Sequence, residues 1–588
     1  TKQATLQPGR FLRPTLLVSV PGCNFGRWIY VPVRRVIGRE TPRHACVLPI
    51  PHRFLSEAGL LMFLMLDQSP STHAALVQPA AQAAAAPVAG HGGAGALPRQ
   101  EVDSHGYHYI IVGNRLLTDA ALAEAVKKGR TPEQAVGQIK HAYEREGYFL
   151  VALVGKAEGQ RVLLQIVQGR LTHIEGPPHL VAYFKRLKNN DRIRNSDVIR
   201  PSILAQAYDA TNGQQPQISF KPAPEVGGSV MQISQTPLAD SHWAGGSLTT
   251  GNFGNRYAGH YLAQAQAWAR HDGITVQLSH SRALTGLDEN TRGAFYSATT
   301  ATVSAITPLG TFQLDGGSTR YQLGKAFAPL YPVGKIRTIG LSGNQLLYAD
   351  SNRRWSLSEG VHRISDVETV FNGSYTLHDQ KYLVWDASSD LSWRFGGLFN
   401  QAASLSLSGG VKLGTAGADS GFTKAPGAPT GHFRLYTASA GITQALSSQY
   451  SVQFNLSGQA STDTLPSYQQ WVLGGVNNLT AYLPGTIVGD RGYLGRLTLQ
   501  GPQWSLGPMK LSANAFTEYG ASRYSYIPVA APMWQALNDV GASLSVALPV
   551  AHTSLMLAYA KPVGSRNVSV ALRQGQQSHV FFYLQAAL

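Results

Sequence analysis

Ser451-Val452-Gln453-Phe454-Asn455-Leu456-Ser457 opens the decisive stretch, which passes through Gly474-Gly475-Val476-Asn477-Asn478-Leu479-Thr480-Ala481-Tyr482-Leu483-Pro484-Gly485 and Asp490-Arg491-Gly492-Tyr493 and closes on Gly495-Arg496-Leu497-Thr498-Leu499-Gln500. Polar and apolar residues alternate at both ends, the period of a half-buried β-strand. In the closing strand Gly495, Leu497 and Leu499 share one face, and Arg496, Thr498 and Gln500 share the other. The loop between them, Asp463 to Asp490, is far longer than an ordinary strand connection. Loops of that length without their own secondary structure are usually functional. This one is expected to fold back between its strands into the interior of a barrel.

The same alternation fills the chain after Trp243. Ala403, Leu405, Leu407, Val411 and Leu413 oppose Ser404, Ser406, Ser408 and Lys412, and Tyr261, Ala263, Ala265 and Ala267 oppose Gln264 and Gln266. A soluble sandwich alternates too, so the connections decide. Sixteen candidate strands start near residues 243, 258, 273, 294, 310, 335, 353, 380, 399, 432, 449, 491, 508, 537, 552 and 577. Short turns such as His271-Asp272-Gly273 and Pro308-Leu309-Gly310 trade places with long loops such as 285–293, 325–334, 415–431 and 520–532. An even strand number with short turns on one side and long loops on the other is the pattern of an outer-membrane barrel.

The totals agree. At 588 residues the chain exceeds one ordinary domain. Apolar residues make up 43%, yet no run approaches the roughly 18–20 residues of a spanning helix. A chain that crosses lipid without such a helix must close its strands into a barrel, because open edges leave backbone groups unpaired. The formal charge of +16 raises nucleic-acid binding, but no basic run, zinc spacing or aromatic RNA-binding motif supports it. Arginines dispersed over polar strand faces account for the charge, and no nucleic-acid partner is expected. There is no GxxxxGK[ST] phosphate loop, GxSxG elbow or HExxH helix. No catalytic, cofactor-binding or metal residue is therefore nominated.

The N-terminal third divides by composition. Residues 1–66 fit no domain, although Arg53, the apolar Ala58 to Leu66 and the small Ala74 and Ala75 form a candidate export signal. The two cysteines, Cys23 and Cys46, lie in this segment and leave the rest without disulfides. Residues 67–104, rich in Ala, Pro and Gly, are a linker. From Tyr107 a β-α-α-β-β order emerges. Tyr109 to Asn114 is a strand, Asp119 to Lys128 a helix, and Thr131-Pro132-Glu133-Gln134 the start of a second helix. Ala135, Ile139, Ala142 and Tyr143 make that helix's apolar face, Gly147 ends it, and strands follow at Phe149 to Val154 and Val162 to Gln168. A weaker copy has helices at Leu180 to Leu187 and Pro201 to Tyr208 and strands at Ile218 to Lys221 and Ser229 to Ser234. The expected domains are thus 105–176, 177–238 and a barrel over 239–588 with its inward loop at 463–490.

Residues 105–588 resemble the outer-membrane transporters of two-partner secretion, which export haemolysins and filamentous haemagglutinins. Tyr109 to Asn114 with Glu146-Gly147-Tyr148 is similar to that family's first polypeptide-transport-associated (POTRA) domain. Gly251-Asn252-Phe253-Gly254-Asn255-Arg256-Tyr257-Ala258-Gly259 resembles its first-hairpin signature. Leu473-Gly474-Gly475 and Asp490-Arg491-Gly492-Tyr493 resemble the entry and exit of its inward-folded sixth surface loop. The resemblance implies two POTRA domains and a 16-stranded transmembrane antiparallel barrel. The implied location is the outer membrane of a Gram-negative bacterium, with the POTRA domains in the periplasm. Its implied partners are an unfolded secreted exoprotein, outer-membrane lipid and the barrel-assembly machinery. The same superfamily also holds membrane-protein insertases, an alternative that favours more than two periplasmic repeats.

The implied sites fall in two groups. Tyr109, Ile111, Val112, Gly147 and Tyr148 would belong to the substrate-capturing first domain. Thr480, Tyr482, Arg491, Gly492, Tyr493, Arg496 and Glu518 would form the gating loop and lumen. At the loop tip the family's Val-Arg-Gly-aromatic tetrad reads Leu479-Thr480-Ala481-Tyr482, so its arginine is missing. Glu518 stands where the family has a wall aspartate, and either Arg491 or Arg496 is expected to supply the charge that Thr480 cannot. Leu588 ends the chain where an aromatic residue is usual, and the family's plugging helix has no counterpart in the linker.

Overall fold

The computed structural model describes residues 97–588, apart from 226, 240, 288–292, 416–418 and 528–530. The candidate export signal, both cysteines and most of the linker lie outside them.

The first module is a four-stranded sheet, in the order β1-β2-β4-β3, with two helices on one face. Its elements are β1 (Arg99–Ser104), β2 (Tyr107–Val112), α1 (Asp119–Lys128), α2 (Pro132–Arg145), β3 (Val151–Glu158) and β4 (Arg161–Gln168). The sequence dictates the helix starts. Thr118 and Thr131 each accept a hydrogen bond from the amide three residues on, a cap that contributes about 1 kcal/mol. Gln134 reaches back to the Arg130 amide. Gly147, at φ +86°, turns the chain out of α2. The apolar stripe Ala135, Ile139, Ala142 and Tyr143 is buried against Tyr109, Ile111 and Leu122. Burial pushes the Tyr143 phenol up to about 12, and its hydroxyl donates to Asn114 at 2.7 Å.

The second module repeats the plan with β5 (Arg170–Glu175), α3 (Pro178–Phe184), α4 (Asn195–Ala210), β6 (Gln214–Pro222) and β7 (Gly228–Pro237), in the sheet order β5-β7-β6. Two boundaries differ from expectation. Residues 99–104, whose composition reads as linker, form β1 because they pair along β2. The modules divide at Gly169 and not after residue 176, because β5 pairs in parallel with β7 of the second sheet. Helix α4 also begins before Pro201. Val198, Leu204 and Ala205 bury its face, and that packing carries the proline inside the helix.

Sixteen of the remaining strands close into one barrel. They are β8 (Ala244–Gly251), β9 (Leu262–His271), β10 (Ile274–Ala283), β11 (Phe295–Thr307), β12 (Gly310–Gln322), β13 (Val333–Ala349), β14 (Arg353–Val370) and β15 (Tyr375–Gly396). There follow β16 (Ala402–Gly414), β17 (Arg434–Ala445), β18 (Ser451–Ala460), β21 (Arg491–Leu506), β22 (Met509–Arg523), β23 (Gln535–Leu548), β24 (Thr553–Arg566) and β25 (Val580–Ala587). Each pairs antiparallel with its neighbour, and β25 returns to β8. Closure leaves no open edge to lipid. Among the described residues no helix is long and apolar enough to cross a membrane. β9 starts later than expected because Gly254 and Gly259 close a turn through the bonds Gly254 N to His260 O and Gly259 N to Asn255 O.

The second module docks on the barrel's short turns. Asp272 and Gly273 have φ of +46° and +74°, the two positive angles of the two-residue turn that matches strand twist. The Asp272 amide donates to Asn212 Oδ1 at 2.8 Å, Asn212 Nδ2 returns a bond to the Asp272 carboxylate at 3.1 Å, and the Gly273 amide donates to Thr211 Oγ1 at 2.7 Å. Tyr183 donates to the Ile306 carbonyl at 3.3 Å.

Candidate functional site: a loop clamped inside the barrel

Between β18 and β21 the chain turns inward. Trp471–Leu473 (β19) and Ile487–Gly489 (β20) form a small hairpin of their own. Gly474 (φ +116°) is needed at its head, since a Cβ there would lie 2.1 Å from the Leu483 carbonyl oxygen. Beyond it, Leu479, Ala481 and Tyr482 are wholly buried and Thr480 nearly so. They pack with Trp471, Leu473, Phe516, Leu537 and Ala560.

The tip is held by the wall through its backbone. The Thr480 amide donates to Glu518 Oε2 at 2.6 Å, and the Ala481 amide donates to Asp539 Oδ2 at 2.7 Å. Arg496 Nη1 donates to the other oxygen of Glu518 and reaches Thr480 Oγ1 at 3.5 Å. Its guanidinium lies 4.1 Å from the centre of the Phe516 ring. Strand register sets this up: Arg496 stands opposite Glu518, and Glu518 opposite Asp539, on three successive strands. The residues of one row point to one face, here the lumen. A buried carboxylate needs such partners, because losing water without replacement bonds costs several kcal/mol.

Other ties fix the loop's base and flanks. Asp490, wholly buried, accepts from the Leu465 amide at 2.9 Å and the Ser525 amide at 2.7 Å. Ser467 donates to Asp366 on β14 at 3.0 Å. Asn255 Nδ2 donates to the Pro484 carbonyl at 3.0 Å. The chain between the short helix α5 (Val570–Gly575) and β25 completes the enclosure. The Leu483 amide donates to Gln576 O, and the Ser578 amide donates to Ala481 O.

Of the residues nominated for the lumen, Thr480, Tyr482, Arg496 and Glu518 meet here. Gly492 faces inward beside Trp471, where a Cβ would come within 2.0 Å of the indole. Arg491 and Tyr493 do not join them. They share parity with the exposed Leu497 and Leu499 and so point outward, where Tyr493 packs against Tyr519 and Trp534. Of the two arginines considered as Glu518's partner, the structure selects Arg496. Asp539 was missed. Its signal was an acid with lumen parity on the strand beside that of Glu518.

The residues nominated for substrate capture need correction. Tyr109 and Ile111 are core side chains on β2, which is flanked by β1 and β4 and has no free edge. Val112 ends the same inner strand. Gly147 and Tyr148 make the joint between modules. Gly147 O accepts from the Asn195 amide at 2.7 Å, and Arg194 bonds the Tyr148 hydroxyl at 3.2 Å while lying 5.2 Å from its ring centre.

The barrel's closing seam is short. β25 and β8 pair over five residues, Tyr583↔Gly251 to Ala587↔Ser247. Above them the Asn252 side chain adds to the bond from its own amide to Phe582 O, donating to Val580 O at 2.8 Å and accepting from the Phe582 amide at 2.7 Å.

The family described as haemolysin secretion/activation protein ShlB/FhaC/HecB matches residues 227–527. Among solved structures, CdiB from Escherichia coli is similar at a TM-score of 0.66 and 17% identity, over 86% of this chain and 93% of that one. CdiB from Acinetobacter baumannii is similar at 0.61 and 13% identity, over 90% and 97%. No curated protein matches in sequence. The chain belongs to the haemolysin secretion/activation protein family, the outer-membrane transporters of two-partner secretion, with its barrel in that membrane and its two small α/β modules in the periplasm.

Proposed function

We propose that the two periplasmic modules capture an unfolded exoprotein on their free strand edges, and that the inward loop 461–490 gates the lumen through which it leaves. The observation that carries the gate is the tip's attachment: two backbone amides on two wall carboxylates, with no covalent tie. Such bonds are individually modest, so the loop can be released without unfolding the barrel. Capture falls to the sheet borders β3 and β6, where unpaired backbone groups accept an added strand with little demand on its sequence. The interior Tyr109 and Ile111 shape the first sheet and do not touch cargo.

The gate is tested by tethering. In a Thr480→Cys, Asp539→Cys double variant, oxidation is expected to stop export of the exoprotein and reductant to restore it. Undiminished export with the tether closed would sink the gate. Deleting residues 97–237 is expected to abolish export while leaving the barrel in the outer membrane. Continued export would remove the modules from the pathway.

A further inference from the structure

The outward face of β10–β15 is positively charged at one level. Arg282, Arg320 and Lys335 stand in a single row across β10, β12 and β13. Two positions nearer the periplasm come Arg337 on β13 and Lys381 on β15, and Arg363 on β14 lies one row further. Lys335 and Arg337 share parity with Ile339 and Leu341, which are 56% and 59% exposed, so the whole group faces outward. The next row, Val276, Val303, Leu314, Leu341, Val361 and Trp385, is apolar throughout. The basic rows lie at the strand ends away from the turn that holds the second module, which is periplasmic, and so at the outer leaflet.

Among the described residues little neutralises this arc. Lys381 pairs with Asp379 at 3.1 Å. Glu359 is a further acid on the face, four positions below Arg363. Arg282, Arg320, Lys335, Arg337 and Arg363 have no ion-pair or side-chain hydrogen-bond partner among the described residues. On the other side of the barrel aromatic rings share the outward face with scattered arginines: Tyr493 and Tyr519 stack at 6.0 Å with Trp534 beside them, and Arg566 stands in the Tyr493 row.

We propose that this arc binds the phosphorylated headgroup of a glycolipid in the outer leaflet. A basic residue in mid-bilayer is destabilising, but long stems let the heads rise to the interface. There each meets anionic headgroups. Guanidinium pairs two-pronged with phosphate oxygens, which suits a cluster dominated by arginine. The strands are about 5 Å apart, so the arc spans more than one phosphate. The apolar row beneath receives the acyl chains.

The test uses the full chain in detergent, with a diphosphorylated diglucosamine lipid as probe and its dephosphorylated form as comparison, bound lipid being counted by native mass spectrometry. The phosphorylated form is expected to bind at least tenfold more tightly. The Arg320→Gln, Arg337→Gln, Arg363→Gln triple variant is expected to lose that preference, and Lys561→Gln, Arg566→Gln on β24 to keep it. If the triple variant forms no heat-modifiable barrel, Arg337→Gln alone is read the same way, with at least a threefold loss expected. Equal binding of both lipids, an unchanged preference in the variant, or displacement of the lipid by an equal concentration of inorganic phosphate would each overturn the proposal.

Discussion

Two arcs of one wall use their strands differently. Along β14 and β15 the ladder runs through eighteen residue pairs, from Arg353↔Trp393 to Val370↔Tyr375, with one shift near Glu368. At β25 and β8 it has five pairs, lengthened by the mutual backbone bonds of Gly246 and Leu588 at one end and by Asn252 at the other. The first arc is regular and carries its basic cluster outside, while Asp366 and the His362–Asp386 pair face the lumen. The second, from β21 round to β8, holds the loop tip on Glu518 and Asp539. A long ladder shares any local loss among many bonds. A short one, and a loop tied by a few charged contacts, concentrate the cost in single residues.

The sharpest way to break this contrast is at Glu518. Glu518→Lys places a cation beside Arg496 and removes the acceptor for the Thr480 amide. Losing charge-assisted bonds of about 1.5–3 kcal/mol each is expected to raise the open fraction more than tenfold, read as conductance in planar bilayers. The exchange Arg496→Glu with Glu518→Arg is expected to recover part of the closure. If neither single change alters conductance or export, the clamp does not hold the loop.

The next effect compares one residue type on both arcs. Asn252→Ala removes both side-chain bonds at the seam, about 1–2 kcal/mol together, and is expected to lower the temperature at which the barrel unfolds on heat-modifiability gels. Asn344→Ala on β13 loses a bond to Ser358 inside a long ladder, and no measurable change is expected. Equal shifts would erase the distinction between the arcs.

Asn212→Ala loosens the module-to-turn joint. Faster amide exchange at Asp272 is expected, with barrel stability unchanged. The smallest effect is expected at Asp539→Asn, because an amide oxygen still accepts from Ala481. The change in closure should stay below about 1 kcal/mol, and a loss as large as that of Glu518→Lys would show that the negative charge of Asp539 is itself required.

The sequence made the barrel legible because period-two alternation and alternating connection lengths are direct imprints of a closed wall. Strands expected near 310, 353 and 491 begin at Gly310, Arg353 and Arg491. The apolar stripe of α2 was legible for the same reason, as a periodicity with a single buried face. Pairings between distant segments left no such imprint. β1 looked like linker until β2 gave it a partner, and β5 joined the second sheet through a parallel pairing with β7. At the site the sequence leaves Arg491 and Arg496 both open, and the strand pairing opposite Glu518 selects Arg496 and brings in Asp539. Tyr109 and Ile111 were assigned to capture by resemblance, while the alternation of β2 already marked them as one buried face.

The docked turn at Asp272-Gly273 has a mechanical consequence. Its first strand, β9, stands next to β8, the strand on one side of the seam. A tug on the second module by a chain threading upward reaches the wall along the chain from β7 into β8 and through three hydrogen bonds to this hairpin. The load thus enters the cylinder beside its least laced join.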